Sequence, residues 1–142
     1  MLKRLACTVC AVLVVAAAAV PARSADKTKP PKPDLTVIKI TIEPQIAKKG
    51  DWVTFSGKVV NVGLAPSAAC QFVIRVGDHA ELKMFPLPAL APHESYPFSY
   101  EQVMTDPGLY RVLFIADYYK TVDESDELDN AKYIGLRVND VP

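Results

Sequence analysis

The residues best suited to chemistry lie in an acidic stretch near the end of the chain. Five carboxylates fall there within seven residues: Asp123, Glu124, Asp126, Glu127 and Asp129. Clustered carboxylate oxygens on a loop are ligands that Ca²⁺ prefers, so the stretch is a candidate calcium site. The spacing is not that of a helix–loop–helix calcium loop, because the Gly of the sharp turn and the terminal Glu are missing. The alternative is that Glu124, Asp126 and Asn130 cap turn amides while the remaining carboxylates face water.

Three tyrosines flank this stretch and form a candidate binding surface. Tyr118 and Tyr119 precede it, and Tyr133 follows it. Exposed tyrosine is common in binding surfaces, whereas core packing is the alternative for one or two of the three. A binding role predicts that Tyr118 and Tyr119 are substantially exposed, with an unidentified protein or glycan of the cell envelope as the partner.

Other chemistries find no support in the sequence. The His and Met residues stand singly, without the spacing of a copper site. There is no Gly-x-Ser-x-Gly nucleophile elbow, and no pair of carboxylates is placed for glycoside hydrolysis in a cleft. We therefore predict no catalytic residues, no required cofactor and a non-enzymatic role.

Residues 1–24 have the pattern of a signal peptide. Lys3 and Arg4 precede an uncharged run from Leu5 to Val20, and small residues precede a cleavage site after Ser24. The run is short for a membrane-spanning helix, which needs about 20 residues. The sequence predicts export to the periplasm or the exterior, with no membrane span after cleavage. Retention of the segment as an uncleaved anchor is the alternative.

Removal of this segment leaves thirteen basic and sixteen acidic residues, a net charge of −3. No basic surface is then expected for phosphate contacts, so the sequence predicts no nucleic-acid partner. Cys70 is the one cysteine after residue 24. It is either buried and inert or available for an intermolecular disulfide.

The remaining chain divides into three parts. Residues 25–33 form a Pro/Lys-rich linker that we expect to be an extended spacer. Residues 34–138 form one domain, and residues 139–142 are a C-terminal tail. Apolar residues alternate along seven segments of the domain, which are 34–42, 52–62, 69–76, 80–85, 96–104, 109–116 and 131–138.

The alternation predicts an all-β fold, an immunoglobulin-like β-sandwich of about seven antiparallel strands. The last two segments form a long hairpin around the acidic stretch. In the first segment the apolar face switches near Val37 and Ile38, which predicts a bulge. Pro97 indicates a sheet edge, and Pro86 and Pro88 are expected to stop strand pairing. Cys70 shares the core face of its strand with Phe72, and Trp52 is expected to be half-covered.

The order of several short motifs resembles the CARDB family, named for a cell-adhesion-related domain found in bacteria. The motifs are Asp34-Leu35, Gly50, Asn61-Val62-Gly63, Leu90-Ala91-Pro92-His93-Glu94, Pro107-Gly108-Leu109-Tyr110, Asp117 and the segment 124–130. Two residues depart from the family pattern. His93 stands where Gly is common, and Asp129-Asn130 replaces a usual Asn-Asn pair.

The resemblance implies a β-sandwich used for adhesion or binding outside the cytoplasm. We therefore expect an exported, non-enzymatic binding, adhesion-type or scaffolding module of the bacterial envelope. The alternatives are an accessory component of an envelope enzyme or transport system and a calcium-stabilised architectural spacer.

Overall fold

Eight β-strands form in residues 29–141, the part of the chain that the computed structural model describes. They are β1 (Leu35–Glu43), β2 (Ile46–Lys48), β3 (Trp52–Asn61), β4 (Cys70–Val76), β5 (Lys83–Leu87), β6 (Ser95–Val103), β7 (Gly108–Ile115) and β8 (Ala131–Asn139). The predicted signal peptide and the start of the linker lie outside the described residues. No helix within residues 29–141 is long and apolar enough to cross a membrane.

The strands build two sheets that enclose one core. One sheet has three strands in the order β1-β3-β6, and the other has five in the order β2-β8-β7-β4-β5. Every neighbouring pair is antiparallel except β2 and β8, which are parallel. The predicted all-β immunoglobulin-like sandwich is confirmed.

Aromatic rings join the two sheets at the centre of the core. Phe98 of β6 lies with its ring centroid 4.5 Å from that of Phe72 on β4 and 5.8 Å from that of Phe114 on β7. Gly57 of β3 makes room for this ring, because a Cβ atom there would lie 2.8 Å from Cζ of Phe98. Since a contact that short is not tolerated between carbon atoms, a larger residue at position 57 would force the Phe98 ring to shift.

The predicted switch of core face in the first strand is present as a bulge. The β1–β3 register shifts between Ile38 and Thr41, and Lys39 has a φ of 52° within the shift. Leu35 and Val37 are buried before the bulge and Ile42 after it. An extra residue reverses which alternate positions face inward, so both halves of β1 contribute to the core.

The structure differs from the sequence prediction at two sheet edges. β2 was not predicted, since three residues with one buried side chain, Ala47, are too few to show a period of two in the sequence. The predicted strand 80–85 lies instead at Lys83–Leu87, and Pro86 pairs in register with Gln71 rather than stopping the strand. Proline is tolerated there because β5 is an outer strand.

The terminal hairpin sets the position of the candidate site. β7 and β8 pair from Gly108 opposite Val138 to Ile115 opposite Ala131. Residues 116–130 therefore connect the strands at one end of the hairpin. Val112 and Phe114 of β7 face the core, so Leu109, Arg111 and Leu113 point to the outer face of the five-stranded sheet.

Candidate functional site

The three candidate tyrosines lie on or beside the outer face of the five-stranded sheet. Tyr119 and Tyr133 are 57% and 51% exposed, and Tyr118 is partly exposed. The rings of Tyr118 and Tyr119 meet edge to face, with centroids 5.1 Å apart. The exposure that the binding hypothesis requires is present for Tyr119 and partial for Tyr118.

The segment after β7 folds back to position Tyr119 over the sheet. The Tyr118 N–H donates to the Gln71 carbonyl at 3.0 Å, and the Tyr119 hydroxyl donates to Sδ of Met84 on β5 at 3.5 Å. Tyr133 lies on β8, three strands from β5, which corresponds to about 14 Å. The tyrosines thus mark two ends of one face rather than a single cluster.

Arg111 and Tyr133 form a pair at the β8 end of this face. The Arg111 guanidinium carbon lies 3.9 Å from the centroid of the Tyr133 ring. A guanidinium stacked on an aromatic ring is attracted by the electron-rich face and keeps its N–H donors free at the edges. The pair is therefore a fixed cationic group on an exposed surface.

Glu124, one of the five candidate calcium ligands, is a buried structural residue. Its Oε2 accepts a hydrogen bond from the Leu35 N–H at 2.5 Å, and its Oε1 accepts one from Nδ2 of Asn130 at 2.8 Å. The carboxylate thereby links the hairpin loop to the start of β1. Burial is the main cause that raises the pKa of Glu124 to about 7, and its hydrogen bonds and the neighbouring carboxylates act as smaller, partly opposing effects.

The other four carboxylates of the stretch have separate surroundings. Asp126 accepts the Leu128 N–H at 2.9 Å, and Glu127 accepts the Glu124 N–H at 3.2 Å. Asp123 forms an ion pair with Lys32 of the linker. Burial, followed by repulsion from other carboxylates, raises the pKa of Asp129 above its ordinary value. The alternative interpretation is met in part: Asp126 caps a turn amide, and Glu124 accepts an amide of β1. Glu127 also caps an amide, which was not predicted, and Asn130 donates to Glu124 rather than capping one.

Four side-chain oxygens around this stretch are buried without a hydrogen-bond partner: Oδ1 of Asp34, Oε2 of Glu127, Oδ1 of Asp129 and Oδ1 of Asn130. Oxygens of this type are suited to a hard cation. However, among residues 29–141 no group of three or more His, Cys, Asp or Glu side chains is arranged to hold a metal ion. Calcium binding stays a prediction.

Cys70 lies on the core face of β4, as predicted, and is buried. Burial, and then the charge of Asp117, raise the pKa of its thiol to about 12. Because the thiolate is the reactive form, the thiol is held in its unreactive state at neutral pH.

Two buried polar residues, Asn61 and Asp117, were named from the sequence only as parts of the family motifs, and the structure gives each a structural role. Asn61 accepts the N–H groups of Asp34 and Gly63 and donates to the carbonyls of Ala65 and Leu90, all at 2.8–3.0 Å. One side chain thus connects three segments of the chain. A buried Asn at the end of an apolar strand was the available sign, since a buried amide needs partners.

Asp117 holds the loop that carries Tyr118 and Tyr119 through its side-chain hydrogen bonds. Its carboxylate accepts the N–H groups of Thr121 and Val122 and the Thr121 hydroxyl, at 2.7–3.0 Å. Its φ of 45° directs the chain away from β7. This turn therefore fixes where Tyr118 and Tyr119 lie.

The CARDB family model matches residues 32–133, most of the described chain. The chain belongs to the CARDB family. CARDB is a non-catalytic, adhesion-related domain family associated with cell surfaces. His93, where the family commonly has Gly, has a φ of 65°, so this chain places a non-glycine residue in the left-handed region at that turn.

Solved CARDB structures share the fold. The crystal structure of the CARDB domain of the PF1109 protein from Pyrococcus furiosus, in complex with di-metal ions, matches with a TM-score of 0.70 at 23% identity, covering 78% of this chain and 96% of that one. A putative cell surface protein domain from Methanosarcina acetivorans matches with a TM-score of 0.57 at 15% identity, covering 75% and 92%. No match was found among curated proteins.

Proposed function

We propose that this protein is an exported, non-enzymatic binding or scaffolding module of the bacterial envelope, which binds a protein or glycan partner through the outer face of its five-stranded sheet. The exposure of Tyr119 and Tyr133 on that face carries the proposal. Aromatic side chains supply large contact areas at low cost in conformational entropy, so they are favoured in binding surfaces. The cell-surface association of the CARDB family supports the envelope location.

Of the side chains between the two tyrosines, Met84 supports the same face. Val73 and Leu113 point outward from β4 and β7 but are buried, and Met84 beside them is partly exposed. Met84 therefore adds exposed apolar area beside Tyr119, whereas Val73 and Leu113, at 0% and 5% exposed, add almost none.

Site-specific cross-linking in cells tests this proposal. A photo-cross-linking residue replaces Tyr119 or Tyr133, and a matched control carries it at Lys58, which is exposed on β3 of the other sheet. We expect a discrete cross-linked species from Tyr119 and Tyr133 and none from Lys58. Equal yields from all three positions, or no species from any of them, would contradict the proposal.

We also propose a second candidate function, a calcium-stabilised architectural spacer. The four buried oxygens without a hydrogen bond beside the acidic stretch favour it, of which Oε2 of Glu127 lies 3.9 Å from Nζ of Lys120. The related Pyrococcus domain was solved with di-metal ions. Calcium bound to the folded state alone would raise the melting temperature in proportion to the logarithm of its concentration. Superimposable melting curves in calcium and in chelator would remove this candidate.

A further inference from the structure

The outer face of the five-stranded sheet has a one-sided charge. Its outward-facing basic residues are Lys48 on β2, Arg137 on β8, Arg111 on β7 and Arg75 on β4. No Asp or Glu occupies an outward position of these strands or of β5. The face is therefore positive, although acidic residues outnumber basic ones after residue 24.

A trough crosses this face between β2, β8 and β7. Its lining includes Gln45, Ile46, Leu109, Gly135 and Arg137, and its volume is about 550 Å³. The space above Gly135 is open, because a Cβ atom there would meet nothing within 4 Å. Leu109 and Ile46 are 80% and 63% exposed along its sides. The trough thus combines open space with two uncovered aliphatic side chains.

The guanidinium groups of Arg111 and Arg137, beside the trough, have N–H donors that form no hydrogen bond in the described part of the chain. Arg111 lies directly opposite Gly135 in the β7–β8 register, and Arg137 lies opposite Leu109. Within residues 29–141, neither arginine forms a salt bridge or a side-chain hydrogen bond. Stacking on Tyr133 holds the Arg111 guanidinium at a fixed orientation. A fixed guanidinium with free N–H groups matches the two oxygens of a carboxylate.

We propose that the trough binds an extended acidic polypeptide segment in which carboxylates alternate with aliphatic side chains. The carboxylates pair with Arg111 and Arg137, and the aliphatic side chains cover Leu109 and Ile46. This inference rests on the proposed function and names the chemistry of its partner.

The residues that line and flank the trough fit a glycan or a lipid surface less well than an acidic peptide. A glycan lacks the apolar side chains that would cover Ile46 and Leu109, and Arg111 already occupies one face of the Tyr133 ring, where a sugar would stack. A lipid surface is planar, whereas the trough is a depression of about 550 Å³ between β2, β8 and β7. One extended chain fits such a groove, with the side chains on one of its faces meeting the trough.

Fluorescence anisotropy with a labelled synthetic peptide of alternating Glu and Leu tests the proposal on the purified protein. The matched peptide carries Gln in place of Glu. We expect the acidic peptide to bind and the neutral peptide to bind at least about tenfold more weakly, with an affinity for the acidic peptide that falls as salt is added.

Two variants locate the binding. The double change Arg111→Gln and Arg137→Gln removes the charges, and Gly135→Leu fills the trough in space that the fold leaves open. Each is expected to weaken peptide binding at least about tenfold, while Lys58→Gln on the other sheet leaves it unchanged. Circular dichroism checks that each variant is folded.

Three results would overturn the inference: equal binding by the wild type and the trough variants, tighter binding of polygalacturonate than of the peptide, or tighter binding of phosphatidylglycerol vesicles. If any of these results is obtained while Tyr119 still cross-links a partner, the proposed function stands, but the partner is not an acidic peptide bound in the trough. If the peptide binds as expected while no partner is cross-linked, the proposed function fails and the trough chemistry holds.

Discussion

Glu124 is expected to make the folded protein less stable as the pH rises from 5 to 8. Its pKa is about 7 in the folded state, against an ordinary value of 4.5. Below pH 4.5 the carboxyl is protonated in both states, and stability is at its highest with respect to this group. Between these values the unfolded chain loses the proton while the folded chain keeps it, so the folded state is disfavoured by about 3 kcal/mol above pH 7. In a domain of this size that corresponds to roughly 10 °C in melting temperature.

The substitution Glu124→Gln isolates this effect. The amide oxygen can accept the Leu35 N–H, and the amide nitrogen can donate to Oδ1 of Asn130 once that side chain is turned over, which also satisfies an unpartnered oxygen. Melting temperatures are measured from pH 5 to pH 8 in chelator, so that calcium does not contribute. We expect the wild type to lose stability across this range and the variant to change much less. Parallel profiles for the two proteins would show that Glu124 ionises freely, and the reasoning would be wrong.

Three further outcomes follow from buried groups and close contacts. Asn61→Ala removes four hydrogen bonds and is expected to cost about 3 kcal/mol in urea unfolding, and a loss below about 1 kcal/mol would contradict this. Gly63→Ala places a Cβ atom 2.5 Å from the Lys32 carbonyl oxygen, so its melting temperature should fall below that of the wild type, while the control Gly135→Ala, whose Cβ atom meets nothing within 4 Å, should not melt below the wild type; equal melting temperatures for the two variants would contradict this. Cys70, with a thiol pKa of about 12, should not react with Ellman's reagent at pH 8 until urea unfolds the protein; stoichiometric reaction of the native protein would refute its burial.

Alternation of apolar residues was sufficient to predict most of the fold, because both sheets bury one face against the other. In β4, for example, Cys70, Phe72, Ile74 and Val76 face the core as the period of two requires. The short strand β2 could not be predicted, since it is defined by its pairing with β8 at Arg137, far away in sequence. The exposure of Trp52, at 65%, likewise depends on what the tertiary structure leaves uncovered.

The candidate site was predictable in composition but not in arrangement. The tyrosines and carboxylates stand out in the sequence, yet nothing local indicates that Glu124 turns inward to bond the Leu35 N–H 89 residues earlier. The trough was also hidden, because Ile46, Leu109 and Gly135 become neighbours only when β2 and β7 flank β8. Both the Glu124 hydrogen bond and the trough depend on contacts between segments that are far apart in the chain, and a single sequence does not reveal which segments meet.

The two ends of the described domain leave it at opposite poles. The Ser125 N–H donates to the Pro33 carbonyl, which places the incoming chain beside the hairpin loop, whereas Asn139 ends β8 about 30 Å away. A force pulling residues 33 and 139 apart would run along the strands and shear β1 against β3 and β8 against β7. Interstrand hydrogen bonds lie across that direction, so many must break together rather than one after another. This arrangement of hydrogen bonds therefore resists extension between residues 33 and 139.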